Sequence, residues 1–301
     1  MATILTRPQP GQLEEAAVAG PGYLLRIFPA LMGRNARMWI HFRTSLVMDL
    51  LNMAAQASVF FFVGQALGAG GQEWTGNYAA FLAIGLVFNT FLEASLNGPV
   101  LSLAANYWSA RLETVLLSPC PVWSMLIADS AWFYVRAIVN GAILGMVGWA
   151  FGARIDASPQ EALTALAALL LAAVAVLGFG LMSAAMFMLI NAKGGNDPVS
   201  WLIGILQGLV TGAYFPVSEL PALLQALAKC LPQTYAIDVA RRMLLADGAV
   251  APVVTIGSLS PLQSDFVMLG GFVLVLPVLG ILLFRKGLRK ARFDGGLSRW
   301  S

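Results

Sequence analysis

Charge is what this sequence has least of. Of its 301 residues only 11% are Asp, Glu, Lys or Arg, against 58% hydrophobic. So few polar groups cannot coat a water-soluble globule, and with a mean hydropathy of +0.76 the apolar residues gather into repeated runs of about 20. A net charge of +3 and a pI near 9.0 do not mark a nucleic-acid binder, because the basic side chains sit at the ends of apolar runs, where they set topology. Cysteine is nearly absent: Cys120 and Cys230 fall on opposite faces of the membrane in the topology below, which excludes a disulfide framework. Histidine occurs once, as His41 among arginines, so neither a zinc site nor a histidine-assisted serine nucleophile can be assembled inside a span. There is no G-x-x-x-x-G-K-[ST] to cradle ATP phosphates and no H-E-x-x-H. No residue is assigned a catalytic, cofactor-binding or metal-binding role. The first twenty residues lack an apolar core and read as part of a cytosolic tail, 1–21, not a cleaved signal peptide.

What is present is helix. The fold class expected is an all-α polytopic membrane protein: an N-terminal interfacial helix, six spans, an external re-entrant helical hairpin before the last span, and a second tail at 293–301. The amphipathic segment 22–45 mixes Leu24, Ile27, Phe28 and Leu31 with Arg26, Arg34, Arg37 and Arg43, the pattern of a helix lying on an anionic leaflet; a soluble helix flanking the first span is the alternative. The spans are placed at about 46–67, 78–103, 125–152, 161–190, 198–216 and 266–284, within a membrane domain covering 46–292. Both termini are placed in the cytosol, at a plasma (inner) membrane. That orientation puts Arg34, Arg37, Arg43, Arg111, Lys193 and the Arg285–Arg299 cluster inside, leaving Arg154, Lys229, Arg241 and Arg242 outside.

Two stretches depart from simple spans. Between Pro221 and Pro232, Leu220, Leu223, Leu224, Leu227 and Leu231 recur at helical spacing. Such a limb reaches roughly 16 Å, half of the ~30 Å hydrocarbon layer, so it enters and turns back, giving a hairpin over about 217–246. On its second limb Asp238 and Arg242 share one face, with Arg241 beside them. The other stretch, about 107–119, begins Tyr107-Trp108-Ser109-Ala110-Arg111-Leu112-Glu113-Thr114 and is stopped by Pro119 and Pro121, a short helix projecting into the cytosol.

These features together resemble the type-2, export-class permeases of ATP-binding cassette (ABC) transporters over about residues 22–292. The resemblance rests on Phe215-Pro216, the leucine-rich limb, and Leu231-Pro232-x-Thr234-Tyr235-x-x-Asp238-x-x-Arg241-Arg242-x-Leu244. It rests also on Leu112, Glu113, Leu116, Ser118 and Pro119, the order of that family's coupling helix, although this chain has Ala110-Arg111 where Gly-Thr is the commoner form. The resemblance implies that Arg111, Glu113 and Thr114 meet a separate nucleotide-binding ATPase subunit, which alone would hold ATP and Mg. It implies that segment 22–45 touches that subunit, and that a second copy of the chain completes the pathway. Tyr214, Phe215, Glu219, Asp238, Arg241 and Arg242 then form an external gate. A solvated loop without a partner is the alternative for the coupling helix, and anchoring to lipid headgroups the alternative for the hairpin charges.

Ionisable residues within spans are few and therefore informative. Helical rise puts Glu93 and Arg136 at a similar depth, roughly 15 to 17 Å from the cytosolic face. They are expected to form an intramembrane ion pair, with Asn89, Asn97 and Asn140 nearby. Asp49 and Asp129 lie nearer the cytosolic ends, where a carboxylate reaches water. Gly141-x-x-x-Gly145 suits close helix packing, within one chain or between two. The function expected is a permease subunit of an ATP-driven exporter, acting as a dimer in membrane lipid on a hydrophobic or amphiphilic cargo (drug, lipid or lipid-linked glycan). An ATP-independent secondary transporter or channel is the second reading. It would be expected to show an internal repeat, and none is evident.

Overall fold

The computed structural model describes residues 21–41, 78–109, 122–155, 157–190, 197–214, 216–245 and 253–293, with scattered helical positions between 44 and 62. Among these the chain is helical throughout: α1 (Pro21–His41), α2 (Tyr78–Trp108), α3 (Val122–Ala150), α4 (Pro159–Leu189), α5 (Pro198–Val210), α6 (Ala222–Ala228), α7 (Pro232–Leu244) and α8 (Pro261–Phe293). A single 3-10 turn, Val217–Glu219, precedes α6. Among the described residues four helices, α2, α3, α4 and α8, are long and apolar enough to cross a membrane. The first expected span falls largely outside the described residues.

Each boundary has a local cause. Helix α4 opens with a complete capping box, in which Ser158 accepts from the Glu161 backbone N–H and the Glu161 carboxylate accepts from that of Ser158. Helix α5 opens on Asp197, whose carboxylate accepts from the N–H groups of Val199 and Ser200, with Pro198 at the first helical position. Pro221 and Pro232 open α6 and α7 as the sequence indicates.

Three expectations are corrected. The second span does not stop near residue 103: α2 runs unbroken through Pro99 to Trp108, burying Asn106 and Tyr107. The cytosolic loop therefore begins later than expected, and Tyr107 and Trp108 belong to the span's last turn. The fifth segment, expected to cross over 198–216, is a helix of 13 residues, about 20 Å long and too short for a ~30 Å layer. It ends at Val210, and Gly212 then takes a φ of 82°, a left-handed turn natural to glycine. The leucine limb is shorter too. Helix α6 has 7 residues and its stripe divides: Leu231 is buried, Leu220 and Leu224 pack partly into the core, and Leu223 is 74% exposed.

Helices α4 and α8 form the spine, with α3 packed on α2, α2 on α4, and α7 lodged against α4, α8 and α2. The contact between α4 and α8 is made by glycine. A Cβ on Gly178 would lie 2.4 Å from the Leu276 carbonyl carbon, and one on Gly280 would lie 2.6 Å from the Gly178 oxygen. Ala165, Ala168, Ala172 and Ala173 bury the same helix's alanine face. Gly141 faces Phe91 and Val87 of α2 and so serves packing within the chain, whereas nothing stands within 4 Å of a Cβ on Gly145. The most telling element is α7. Polar in composition, it is nonetheless buried from Pro232 to Arg241, and Tyr235 lies wholly within the core.

Candidate functional site

A polar cleft runs along one face of α2. Asn89, Thr90, Glu93 and Asn97, spaced by three or four residues, project from the same side of that helix. One cavity of about 250 Å³ is lined by these four with Leu86, Leu96, Leu144 of α3, Gly204 and Gln207 of α5, Tyr214 and Met53. A second, about 320 Å³, shares Met53, Thr90, Glu93 and Asn97 and adds Phe133, Arg136, Ala137 and Asn140 of α3. The structure thus brings Glu93 and Arg136 to the lining of the second cavity together with Asn97 and Asn140, while Asn89 lines the first with Glu93 and Asn97. Gln207 ties α5 to α2: its Nε2 donates to Asn89 Oδ1 at 2.9 Å. Its buried Oε1 has no partner among the described residues.

Above the cleft, Arg241 closes the broken end of α5. From α7 its guanidinium donates to the carbonyls of Gly212 at 2.5 Å and Ala213 at 2.9 Å, with a longer contact to Phe81 at 3.4 Å. It also lies 3.4 Å over the Phe81 ring. The interrupted helix needs such a donor, because a buried carbonyl without one is costly. Gly85 makes room: a Cβ there would stand 2.3 Å from the Ala213 oxygen and 2.8 Å from Arg241 Nη2. Tyr214, next in sequence, lines the cleft.

The other hairpin charges point elsewhere. Arg242 is paired with Asp238 one turn away and with Asp265 of α8 at 3.4 Å. Both carboxyls are buried, Asp238 at 3% and Asp265 at 0% exposure. Burial raises the Asp238 carboxyl above the ordinary aspartate range, against the pull of Arg242 and the Val253 N–H. Glu219 stands exposed on the 3-10 turn. Of the expected gate residues, then, Asp238, Arg241 and Arg242 join helices within the protein, and Phe215 lies outside the described residues.

At the opposite end Asp129 corrects another expectation. It does not reach water but is buried, accepting from Arg34 at 2.6 Å, Asn35 at 2.8 Å and Asn106 at 2.8 Å, with Ser102 at 3.5 Å. One carboxylate thereby joins α1, α2 and α3, and Trp39 of α1 meets Trp132 of α3 edge to face at 5.8 Å. Arg111, Glu113 and Thr114, the expected contacts to an ATPase, lie outside the described residues, as does Cys120. Cys230 is a free, exposed thiol. Among the described residues no group of His, Cys, Asp or Glu could hold a metal ion.

Sequence reasoning missed Asp265, Gln207, Gly85 and the Arg34–Asp129 tie. An acidic residue at the head of a long apolar run was the available signal for Asp265. Nothing separates Arg34 from its neighbouring arginines except its distant partner.

Long apolar helices around a polar cleft, with charges tied up between helices, define an integral membrane transport protein. Residues 28–245 match the family model described as ABC-2 type transporter, and the chain belongs to that family. It is similar to Nodulation protein J of Rhizobium leguminosarum bv. trifolii, 26% identical over 234 residues covering 74% of this chain and 84% of the relative. Against Nodulation protein J of Rhizobium meliloti (strain 1021) the identity is 27% over 237 residues, 76% of this chain and 86% of the relative. Against that of Sinorhizobium fredii (strain NBRC 101917 / NGR234) it is 27% over 220 residues, 72% and 80%. A permease of this family is a transport component and not itself the catalyst, and the family implies pairing with an ATP-binding subunit.

Proposed function

We propose that this chain is the membrane-spanning permease of an ATP-driven exporter, coupled to separate ATPase subunits and completed as a pathway by a second copy of itself. The observation that carries the reading is the cleft on α2. It is a row of carboxamide, hydroxyl and charged side chains held open between apolar helices, where such groups persist only for use or for mutual pairing. Its walls combine that row with Met53, Leu86, Leu96, Leu144 and Phe133. A mixed lining of this kind suits an amphiphilic cargo, with a polar head and an apolar tail. In this reading the short α5 and the α6–α7 hairpin lie at the external end, and the segment 107–119 and α1 meet the ATPase, with ATP and Mg held on that partner. The same reading puts the chain in the inner membrane with both termini in the cytosol.

The test is purification from the native membrane. Co-elution of a nucleotide-binding subunit, with membrane-coupled ATPase activity lost in Glu113→Lys, supports the proposal. Uptake driven by an ion gradient in vesicles holding this chain alone would overturn it.

A further inference from the structure

We propose that the Asp238 and Asp265 carboxyls bind one proton between them, so that the contact between α7 and α8 is a proton-binding site. The two side chains are 3% and 0% exposed and each lies within the electrostatic field of the other. Both turn to the same guanidinium, that of Arg242. Ionised carboxylates offer acceptors only. Among the described residues Asp238 Oδ1 and both Asp265 oxygens accept no well-aligned hydrogen bond, Arg242 Nη1 standing 3.4 Å from Asp265 Oδ2 as an ion-pair contact alone, and Arg242 Nε and Nη1 themselves donate none. A proton on one carboxyl supplies the missing donor and turns two repelling anions into a hydrogen-bonded acid–carboxylate pair, since adjacent carboxylates in a dry site do not both stay ionised.

The surrounding charges do not remove the need. On α7, Arg242 is already shared by both carboxyls, and Arg241 spends its Nη1 and Nη2 on the Gly212 and Ala213 carbonyls. Tyr235 directs its hydroxyl to the Lys229 carbonyl at 2.8 Å. From α4 the only ionisable side chain is Glu161, held in its first turn by Ser158. From α2, Tyr78 lies within the field of Arg241, and Glu93 faces the cleft. The described connector before α8 carries no ionisable group, and its Val253 N–H serves Asp238. Arg241 keeps its positive charge and acts on Asp238 through space, but its Nη1 and Nη2 face the Gly212 and Ala213 carbonyls, so Arg242 is the guanidinium turned to both carboxyls and a shared proton relieves the repulsion between them. No bond other than O–H forms or breaks, and the proton comes from and returns to water.

The sign of the linkage follows. A carboxyl that holds its proton in the folded state more tightly than in the unfolded chain contributes stability below its unfolded pKa and loses it as pH rises through the folded value. The full-length protein in lipid nanodiscs, labelled with ¹³C on the aspartate carboxyls, tests this by infrared spectroscopy. A protonated-carboxyl C=O band carrying the isotope shift, lost on going from about pH 6 to about pH 9, is expected. Asp265→Asn and Asp238→Asn should each abolish it. The thermal midpoint of the wild type should fall by about 3–6 °C over that range, while Asp265→Asn, a neutral isostere, should hold steady. Absence of any isotope-shifted band in the wild type overturns the proposal, whatever the variants do. So does stabilisation by Na⁺ or K⁺ at fixed pH and ionic strength that Asp265→Asn removes, which would assign the site to a metal cation. Because the readout involves neither ATPase nor transport, its failure leaves the permease reading intact, and the converse also holds.

Discussion

Replacing Arg241 with methionine should destabilise this protein more than any other single change to a charged residue of the hairpin. The side chain stays long and flexible, but the donors vanish. Two short bonds are lost, to Gly212 and Ala213 at 2.5 and 2.9 Å, and a buried carbonyl left without a donor costs about 1–3 kcal/mol. The contact with the Phe81 ring adds about 1–2 kcal/mol when desolvated. Against this, a guanidinium that is 2% exposed no longer has to be desolvated, which returns several kcal/mol in part. The net expectation is a loss of about 2–3 kcal/mol, or about 5–10 °C in thermal midpoint. The assay is fluorescence-detected unfolding in nanodiscs, with Arg285→Met on the exposed end of α8 as the control. Gly85→Ala should cost about 1–3 kcal/mol by overpacking against the Ala213 carbonyl. Because it disturbs the same groups, the double variant should lose clearly less than the sum of the two. If Arg241→Met proves no worse than Arg285→Met, or if the two changes add, the guanidinium does not hold the end of α5.

At the other end, Arg34→Met strands a buried carboxylate, so it should cost about 2 kcal/mol, while Arg34→Met combined with Asp129→Leu should cost less than the sum of the two single changes; independent effects in thermal unfolding would show that α1 is not tied through this pair. Cys230 is exposed and assigned to the external face, so in a Cys120→Ser background intact cells should be labelled by a membrane-impermeant maleimide. Labelling only after permeabilisation would reverse the topology. The capping box of α4 joins Ser158 and Glu161 by two reciprocal bonds, so Ser158→Ala should lower the unfolding midpoint by the equivalent of about 1 kcal/mol, and an unchanged midpoint would remove the box from the account.

Hydropathy alone located four of the six expected spans because a run of apolar residues has few other places to go, and α2, α3, α4 and α8 lie where those runs lie. The starts of α6 and α7 were legible for a different reason: Pro221 and Pro232 cannot continue a helix, so they open these two. What failed to show was whatever depends on a partner distant in sequence. The run through Thr211 and Ala213 is as greasy as a span, and only Gly212's left-handed turn and Arg241 on another helix end α5 at Val210. Helix α7 reads as an amphipathic strip for a membrane edge, yet its polar face is consumed by α5, α8 and its own Arg242. Asp129 near a helix end reads as solvated until Arg34, far back in the chain, covers it. The cleft itself was not legible: counting turns put Glu93 and Arg136 at one depth, with the asparagines near, as an expected ion pair, and Gln207 and Tyr214 enter the cleft only because α5 stops short.

The family model ends at residue 245, yet the last helix is not an appendage. Where Gly178 and Gly280 meet, the backbones of α4 and α8 touch without side chains between them, so neither can slide a turn past the other without driving a bulkier residue into main chain. The two helices travel as a single beam. Whatever displacement accompanies a transport cycle must therefore be taken up by α2, α3, α5 and the hairpin around that beam, and a chain cut after residue 245 would leave α4 with its glycine notch facing lipid.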